Sequence, residues 1–429
     1  MPRGTNSVPP PGRKPPAAAA AGGTPKRRKK GPRSTWSENQ EAPGGRPTTS
    51  GLNKEHGGAT VKGRTKRTTR PMSRLETSQN VTGVVGGSEG EFSARRAFEL
   101  DRDKPTSEKQ KAMLLNFCKR AFDMGVRGIL AEYQHIAAYL PPNYSKLTFE
   151  ANMDKNRYHD VGCIDATRVV LKNYGNDYIH ANYVRGDPLV NTFICTQAPM
   201  MTTVKDFWRM VFQEEVGNIF MLCDTIEQGK SKCEQYWPRD KGCTMEWPEV
   251  KVRNMNVDTS DTTTITTTLE LVYFSHRMVL KHHLWRTWPD RSVPQSVMAP
   301  FRLLKVARTC KRPTIVHCSA GIGRTGTVVG LEIALQQALS EQELVMTDVV
   351  KRLRNQRVQA VQTDLQFVYM YKCMMAYSVA AQLLKDDENR AKYAAFEKEY
   401  HDLLRERAQM AEANAYTPLV PVLGFGGHK

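Results

Sequence analysis

The chain has 429 residues and carries 62 Lys and Arg against 44 Asp and Glu, a formal net charge of +18. Such a length accommodates two or three domains, or one large domain with tails. No stretch has the roughly 18 consecutive apolar residues of a membrane-spanning helix, and no apolar signal core follows the first charges. We therefore expect neither a transmembrane segment nor a secretory leader.

The nine cysteines are scattered, odd in number and without a CxxC pair. Structural zinc sites and disulfide frameworks rely on paired, regularly spaced cysteines. The spacing argues against a metal site and indicates a reducing compartment, which predicts a cytoplasmic protein.

The positive charge is concentrated at one end of the chain. Residues 1–80 contain 17 Lys and Arg and 4 Asp and Glu, which is +13 of the total, so the remaining residues carry only +5. Frequent Pro and Gly and few large apolar side chains predict that residues 1–105 form a disordered basic tail. Its run of Lys and Arg from Lys26 to Lys30 fits a solvated tail, a nuclear localisation signal, or a patch that binds a polyanion such as nucleic acid or anionic lipid.

From about residue 106 onward the pattern is that of an ordered domain. Apolar residues recur every three or four positions between 113 and 139, as on one face of a helix, and we expect Gly125 to break or closely pack that helix. Because strands and helices mix without strict alternation, we predict one α/β domain at 106–380 with a twisted mixed sheet flanked by helices. The predicted strands are 178–184, 193–196, 218–222, 263–274, 276–284 and 314–317, and the predicted helices are 207–214, 325–339 and 347–354.

The residues after this domain, 381–429, are predicted to form a helical extension with a short tail. An apolar stripe marks one face of the helix, and such a stripe packs more often on its own domain than on a partner. The stripe consists of Tyr393, Phe396, Tyr400, Leu403 and Met410, with Arg407 interrupting it.

The strongest chemical signal lies between Thr314 and Gly326, where the chain reads TIVHCSAGIGRTG. A short strand runs into a glycine-bearing loop, and the loop runs into a helix. Five residues separate Cys318 from Arg324, and a loop of this size can curl until its N–H groups point inward and form an anion nest at the helix N-terminus. The Arg324 guanidinium can close the nest around two phosphate oxygens, and the positive surroundings favour a thiolate at Cys318.

The same segment contains a literal GxGxxG at 321–326, the fingerprint of dinucleotide-binding folds. In that fingerprint the first glycine closes the turn directly after the strand. Here Cys-Ser-Ala intervenes and an arginine occupies the loop, so the sequence favours a phosphate nest over a dinucleotide site.

Residues 317–326, with further segments in matching order between about 110 and 378, resemble the phosphotyrosine-specific protein tyrosine phosphatases of the non-receptor type. The resemblance implies an enzyme that acts on phosphotyrosine-containing proteins through a cysteinyl-phosphate intermediate, with no metal and no cofactor. It assigns Cys318 as the nucleophile and Arg324 as the phosphate-binding arginine. The other loop residues would bind the phosphoryl group (Ser319, Ala320, Gly321, Ile322 and Gly323) or support the loop (His317 and Thr325).

The tripeptide Trp288-Pro289-Asp290, 28 residues before Cys318, resembles the mobile acid loop of that family. A tyrosine phenolate leaves poorly unless it is protonated, so Asp290 would donate a proton and later accept one from water. The family usually has glycine two residues after this aspartate, where this chain has Ser292.

Gln362 and Gln366 resemble the glutamine loop, which would orient the water that hydrolyses the intermediate. The alternative is a polar helix start that faces solvent. The side chain of Gln359 is expected to narrow the rim beside the pocket.

Residues 156–161 resemble the substrate-recognition loop. Tyr158 would stack on the substrate ring and deepen the pocket, and Asp160 would accept backbone N–H bonds from the substrate peptide. His159 stands where the family commonly has arginine, which implies a weaker preference for acidic residues near the phosphotyrosine.

Three supporting residues come from the segment 227–238. In the resemblance, Glu227 would pair with and orient Arg324, Lys232 would approach the acid loop, and Tyr236 would hydrogen-bond His317. Taken alone, Glu227 and Lys232 would be ordinary surface charges.

Two other functions are alternatives to phosphotyrosine hydrolysis. A catalytically inactive phosphotyrosine-binding pseudophosphatase usually lacks the acid, the cysteine or the glutamine, all of which are present here. A phosphatase for phosphoserine or lipid would not need the deep pocket that Tyr158 implies.

Overall fold

The computed structural model of the chain describes residues 104–173, 175–289 and 292–415. The predicted basic tail, apart from its last two residues, lies outside the described residues, and so does Asp290 of the acid loop. Within the described ranges, no helix is both long enough and apolar enough to cross a membrane.

A twisted mixed sheet forms the centre of the domain, as the sequence predicted. Its strands among the described residues are β1 (Arg168–Val170), β2 (Tyr178–Val184), β3 (Phe193–Thr196), β4 (Asn218–Met221), β7 (Thr244–Trp247), β8 (Val250–Asp258), β9 (Thr264–Tyr273), β10 (His276–Trp285) and β11 (Thr314–His317), while β5 (Ile226–Glu227) and β6 (Lys230–Ser231) form a separate hairpin. The order across the sheet is β1-β2-β3-β11-β4-β10-β9-β8-β7. Neighbours from β3 through β11 and β4 to β10 are parallel, and the flanking pairs are antiparallel.

Every residue of β3, β4 and β11 is buried. Central parallel strands are covered on both faces and read as short continuous apolar runs. This position puts the carboxyl end of β11, and hence Cys318, at the middle of the sheet.

Helices pack around this sheet. In the described part of the chain they are α1 (Glu108–Ala137), α2 (Leu147–Glu150), α3 (Val204–Gln213), α4 (Ala299–Thr309), α5 (Arg324–Leu339), α6 (Met346–Arg354), α7 (Asp364–Ala380) and α8 (Asp387–Ala415), with short 3₁₀ turns at Met153–Lys155 and Asp165–Thr167. The helix α5 packs against β3 and β11, and α3 packs against β8 and β9. All residues of α5 are buried.

The first helix begins where order was expected and breaks where a glycine was expected to break it. Ser107 caps α1 by accepting a hydrogen bond from the N–H of Gln110, whose side chain reaches back to the cap. Gly125 has φ 59° and ψ 179°, a conformation outside the helical region that glycine adopts without a Cβ clash.

The C-terminal helix α8 packs against α1 and α7. Phe396, Tyr400 and Leu403 of the predicted stripe are buried in the core. The prediction was wrong at the end of the stripe, because Met410 is 59% exposed.

Candidate active site

The cysteine loop, residues 318–323, joins the end of β11 to the start of α5. Cys318 is 5% exposed, and the N–H of Gly321 donates to its Sγ at 3.3 Å. Gly321 has φ +72°, and a Cβ there would lie 2.1 Å from the carbonyl oxygen of Thr196. Only glycine lets the loop approach β3 this closely, so the motif glycine is required by the fold of the loop.

The carbonyl groups of the cysteine loop face the surrounding scaffold. Ser319 O accepts from the N–H of Ala198 at 3.0 Å, and Ile322 O accepts from the N–H of Val361 at 2.9 Å. Since a trans peptide directs its N–H away from its C=O, these contacts turn the following N–H groups toward the thiol side of the loop. This is the curl that the spacing of the motif predicted.

A buried arginine that sequence reasoning missed holds the middle of the loop. Arg357 donates from Nη2 to Ala320 O at 3.1 Å and from Nε to Gly321 O at 3.0 Å. Its other contacts are Asn182 Oδ1 at 2.7 Å and His180 Nδ1 at 3.2 Å. Burial, followed by the charge of Arg357, lowers the pKa of His180 to about 3, so this histidine is neutral and can accept from the guanidinium.

Arg324 is the first residue of α5 and lies almost fully buried. Its Nη1 and Nη2 donate to Oε1 and Oε2 of Glu227, each at 2.6 Å, and Nη1 also donates to Leu222 O at 2.7 Å. Burial by itself lowers the pKa of Arg324. The hydrogen bonds and charge of Glu227, with the charge of Cys318, outweigh it and raise the pKa above its usual range. The arginine is therefore charged and held in one direction.

A hydrogen-bonded chain of aromatic side chains supports the loop from behind. Tyr236 Oη lies 2.7 Å from His317 Nε2 and 2.9 Å from His282 Nε2, and His317 Nδ1 lies 3.2 Å from Cys318 O. The expected contact of Tyr236 with His317 is present. No sequence motif indicated that His282 takes part in this chain.

The two predicted glutamines lie over the start of α5. A Cβ built on Gly323 would come within 3.0 Å of Gln366 Nε2 and 3.1 Å of Gln362 Oε1. Gln366 also closes a capping box on α7, because its Oε1 accepts from the N–H groups of Gln362 at 3.0 Å and Thr363 at 3.3 Å. Because Oε1 accepts these two bonds, Nε2 is the end of the Gln366 amide that can donate at the loop, and both ends lie close to Gly323.

The predicted recognition loop also reaches the cysteine loop. Tyr158 Oη lies 2.9 Å from Ser319 Oγ, and Ser319 Oγ donates to Lys232 O at 3.1 Å. Gln359 bridges to the same loop, with Nε2 donating to Asp160 O at 3.1 Å. These contacts fix one wall of the pocket.

The structure describes Trp288, Pro289 and Ser292 of the predicted acid loop, whereas Asp290 lies outside the described residues. Trp288 is buried, donates from Nε1 to Ser292 O at 3.0 Å and contacts the ring of Tyr369 on α7 at 5.8 Å. The position of Lys232 relative to Asp290 stays a prediction.

One pocket brings most of these groups together. It is lined by Tyr158, Asp160, Val161, Lys232, Cys318, Ser319, Ala320, Gly323, Arg324, Gln362 and Gln366. Ile322 and Thr325 are buried beside it, and the Thr325 hydroxyl has no hydrogen-bond partner among the described residues. No group of three or more His, Cys, Asp and Glu in the described ranges is placed to hold a metal ion.

Sequence reasoning missed Arg357 and His282 as supports of this pocket. Arg357 stands in a polar segment that reads as surface, and His282 lies in a strand with no motif around it. The contacts of Arg357 and His282 join residues that are 36 or more positions apart in the sequence. No local pattern of residue types encodes such contacts.

Comparison with known proteins gives one consistent result. A family model described as protein-tyrosine phosphatase matches residues 152–376. Tyrosine-protein phosphatase non-receptor type 9 of Mus musculus is 36% identical over 276 residues, which cover 59% of this chain and 46% of the relative. Receptor-type tyrosine-protein phosphatase eta of Gallus gallus is 33% identical over 270 residues, covering 58% of this chain and 18% of the relative. The match therefore spans less than half the length of these relatives.

Solved structures agree with the sequence relatives. A chain described as "PTPN18 in complex with HER2-pY1196 phosphor-peptides" is 28% identical and superposes with a TM-score of 0.56, covering 61% of this chain and 98% of the other. A second, described as "Structural basis of PTPN18 fingerprint on distinct HER2 tyrosine phosphorylation sites", gives a TM-score of 0.54 at 28% identity, with 62% and 99% covered.

Proposed function

Because the chain belongs to the protein-tyrosine phosphatase family, we propose that it hydrolyses phosphotyrosine in proteins through a phosphocysteine intermediate. The observation that carries the proposal is the placement of the Cys318 thiol under the Gly321 N–H and beside a charged, carboxylate-held Arg324. The solved PTPN18 chain, described with phosphopeptides, supports the same substrate class for this chain.

In the first step the Cys318 thiolate attacks phosphorus in line with the phenolic oxygen. The S–P bond forms as the P–O bond to tyrosine breaks, and the electron pair of that bond goes to the phenolic oxygen. Asp290 donates its proton to this oxygen, so tyrosine leaves as a neutral phenol. Loop N–H groups and the Arg324 guanidinium hold the equatorial oxygens, where charge is spread in the transition state.

In the second step water replaces the thiolate on phosphorus. Asp290, now a carboxylate, takes one proton from that water, and the S–P bond breaks to return the thiolate and release inorganic phosphate. The amides of Gln362 and Gln366 lie over the loop at Gly323 and are suited to orienting the water. Because Oε1 of Gln366 is engaged by backbone N–H groups, we assign it the role of a donor through Nε2.

The lining of the pocket supports selection of phosphotyrosine. Tyr158 stands at its wall, tied through its hydroxyl to Ser319, and would stack on the substrate ring. A phosphoserine side chain is shorter than a phosphotyrosine by the length of a ring, so its phosphate would not reach the loop without a clash at the rim.

The test is turnover of a phosphotyrosine peptide, compared with the matched phosphoserine peptide and with a phosphoinositide. We expect hydrolysis of the first alone, and its loss in Cys318→Ser with the fold retained. Asp290→Ala should lower turnover by about 10²–10⁴, with a smaller loss for aryl phosphates of acidic phenols, which leave without a proton. Binding of the phosphotyrosine peptide without turnover by the wild-type chain would instead indicate a pseudophosphatase.

A further inference from the structure

His282 on β10 is fully buried, although its ring carries two polar nitrogens. The ring stacks on Trp237 with centroids 4.4 Å apart, and its Nε2 lies 2.9 Å from Tyr236 Oη. The Nδ1 of His282 has no hydrogen-bond partner among the described residues. Burying a polar side chain costs free energy unless its polar atoms are hydrogen-bonded, so the bond from His282 to Tyr236 calls for an explanation.

The hydroxyl of Tyr236 is shared between two histidines. It lies 2.9 Å from His282 Nε2 and 2.7 Å from His317 Nε2. A hydroxyl has one proton, and Met221 Sδ, 3.8 Å away, is a weaker acceptor for it than a ring nitrogen, so Tyr236 donates to one ring and accepts from the other. Burial lowers the pKa of His282 and of His317, the latter to about 4, and raises the pKa of Tyr236. Near neutral pH each imidazole therefore carries one ring proton.

Two arrangements of the protons are consistent with these distances. In the first, His282 donates from Nε2 to Tyr236, Tyr236 donates to His317 Nε2, and His317 donates from Nδ1 to Cys318 O, 3.2 Å away. In the second, the two bonds to Tyr236 are reversed and the bond to the Cys318 carbonyl oxygen is lost. His282 then carries an unpaired buried N–H at Nδ1, and the bare Nδ1 of His317 faces the Cys318 carbonyl oxygen.

The first arrangement is favoured, because it satisfies all three protons and leaves only one acceptor unpaired. Buried donors without partners are rarer than under-used acceptors, and two facing lone pairs repel. The N–H at Nε2 of His282 thus decides in which direction the Tyr236 hydroxyl points, and with it which nitrogen of His317 is protonated.

We propose that His282 is a positioning residue of the cysteine loop, which acts through Tyr236 to fix the tautomer of His317 and the direction of the Cys318 carbonyl. Because the peptide is planar and trans, holding that carbonyl also directs the next N–H, that of Ser319, to the opposite side. The inference rests on the proposed function for its effect on catalysis, whereas the tautomer itself is independent of any substrate.

The experiment compares three variants of the full chain with the wild type. His282→Phe keeps a ring against Trp237 and removes the donor, whereas His282→Gln restores an N–H that can reach Tyr236. His283→Phe is the matched control on the neighbouring position of β10, since the contacts of His283 run to Thr266 and Asn218 and not to the chain of three residues.

Two measurements distinguish an altered orientation of the cysteine loop from a loss of the folded structure. The first is the ring tautomer of His317, followed by ¹H–¹⁵N correlation of labelled histidine. The second is the rate at which iodoacetamide alkylates Cys318 at a fixed pH near 6.5. The kcat and KM for a phosphotyrosine peptide are measured alongside.

We expect His282→Phe to shift His317 from the Nδ1–H tautomer to a mixture, and to slow alkylation and kcat by about tenfold with KM nearly unchanged. His282→Gln should recover to within about threefold, and His283→Phe should match the wild type. An unchanged tautomer in folded His282→Phe, or a glutamine variant as impaired as the phenylalanine variant, would overturn the inference. Failure of the wild type to hydrolyse the peptide would count against the proposed function alone, because the tautomer and the alkylation rate would still report on His282.

Discussion

Arg324 and Glu227 form a bidentate ion pair in which Nη1 and Nη2 of the guanidinium lie 2.6 Å from Oε1 and Oε2 of the carboxylate, respectively. Both side chains are mostly shielded from solvent, at 3% and 15% exposure. Arg324 also lines the pocket, together with Cys318.

This pair predicts a catalytic defect when the carboxylate is removed. Glu227→Ala should lower kcat/KM for a phosphotyrosine peptide by about 10- to 100-fold, because Arg324 loses its direction and a nearly buried charge loses its partner. Glu227→Gln keeps one of the two acceptor oxygens, so its kcat/KM should fall less than that of Glu227→Ala. The control is Glu246→Ala, which breaks a pair with Lys251 that is exposed on both sides and should be nearly silent. Equal kcat/KM values for the Glu227 variants and the wild type would exclude an orienting role.

Arg357 predicts a loss of stability. Arg357→Met keeps the aliphatic stem but leaves Ala320 O, Gly321 O and Asn182 Oδ1 without their donor. We expect the free energy of unfolding in urea to fall by about 2–4 kcal/mol, the cost of several unpaired buried acceptors. Arg405→Met, on the exposed face of α8, is the matched control and should change stability by less than about 0.5 kcal/mol. A loss no larger than that of the control would mean that other donors replace the guanidinium.

Buried histidines predict a pH dependence of stability. Burial lowers the pKa of His180 to about 3, and of His283 and His317 to about 4, from an ordinary value of 6.5. The unfolded chain therefore binds protons that the folded chain does not, so stability is complete above about pH 6.5 and falls as the pH drops toward 4. Each histidine should contribute a loss of about 1–2 kcal/mol between pH 7 and pH 5.

The measurement for this dependence is urea unfolding at several pH values. His283→Phe should flatten the curve by the share of one histidine, whereas replacement of the exposed His276 by Asn should leave its slope unchanged. A wild-type curve that is flat from pH 7 to pH 5 would contradict the neutral, buried state of these rings.

The basic N-terminal region predicts a separation of binding from catalysis. Residues 1–80 hold +13 of the net charge of +18 and lie outside the segment that the family model matches. Deleting them should leave turnover of a small aryl phosphate within about twofold and reduce binding to anionic vesicles or nucleic acid, which salt should also weaken. A tenfold change in turnover would indicate a regulatory segment, and absence of binding at low salt in the full chain would favour a nuclear address or an inert linker.

The strands that sequence reasoning found are those whose pattern is local. β10 and β11 are continuous runs of strand-forming residues between turns. Both strands were predicted with bounds within one residue of those in the structure. Only the polar first residues of α7 were recognised as a possible helix start. Most of this helix is buried on all sides, so no amphipathic stripe marks the rest of it in the sequence. The strand β8 was missed because the alternation of its buried valines with Lys251 and Arg253 stops at Asn254, which leaves a short pattern for a strand of 9 residues.

The sequence by itself determined the reactive loop, because five residues between Cys318 and Arg324, with a glycine at position 321, suffice to specify a strand, a curled loop and a helix start. The tertiary structure decided what holds that loop in place. Glu227 reaches Arg324 across 97 positions of sequence, and Tyr236 reaches His317 across 81. Such contacts depend on how β4, β10 and β11 lie side by side in the sheet, and a local pattern of residue types does not encode which distant side chains the sheet brings together.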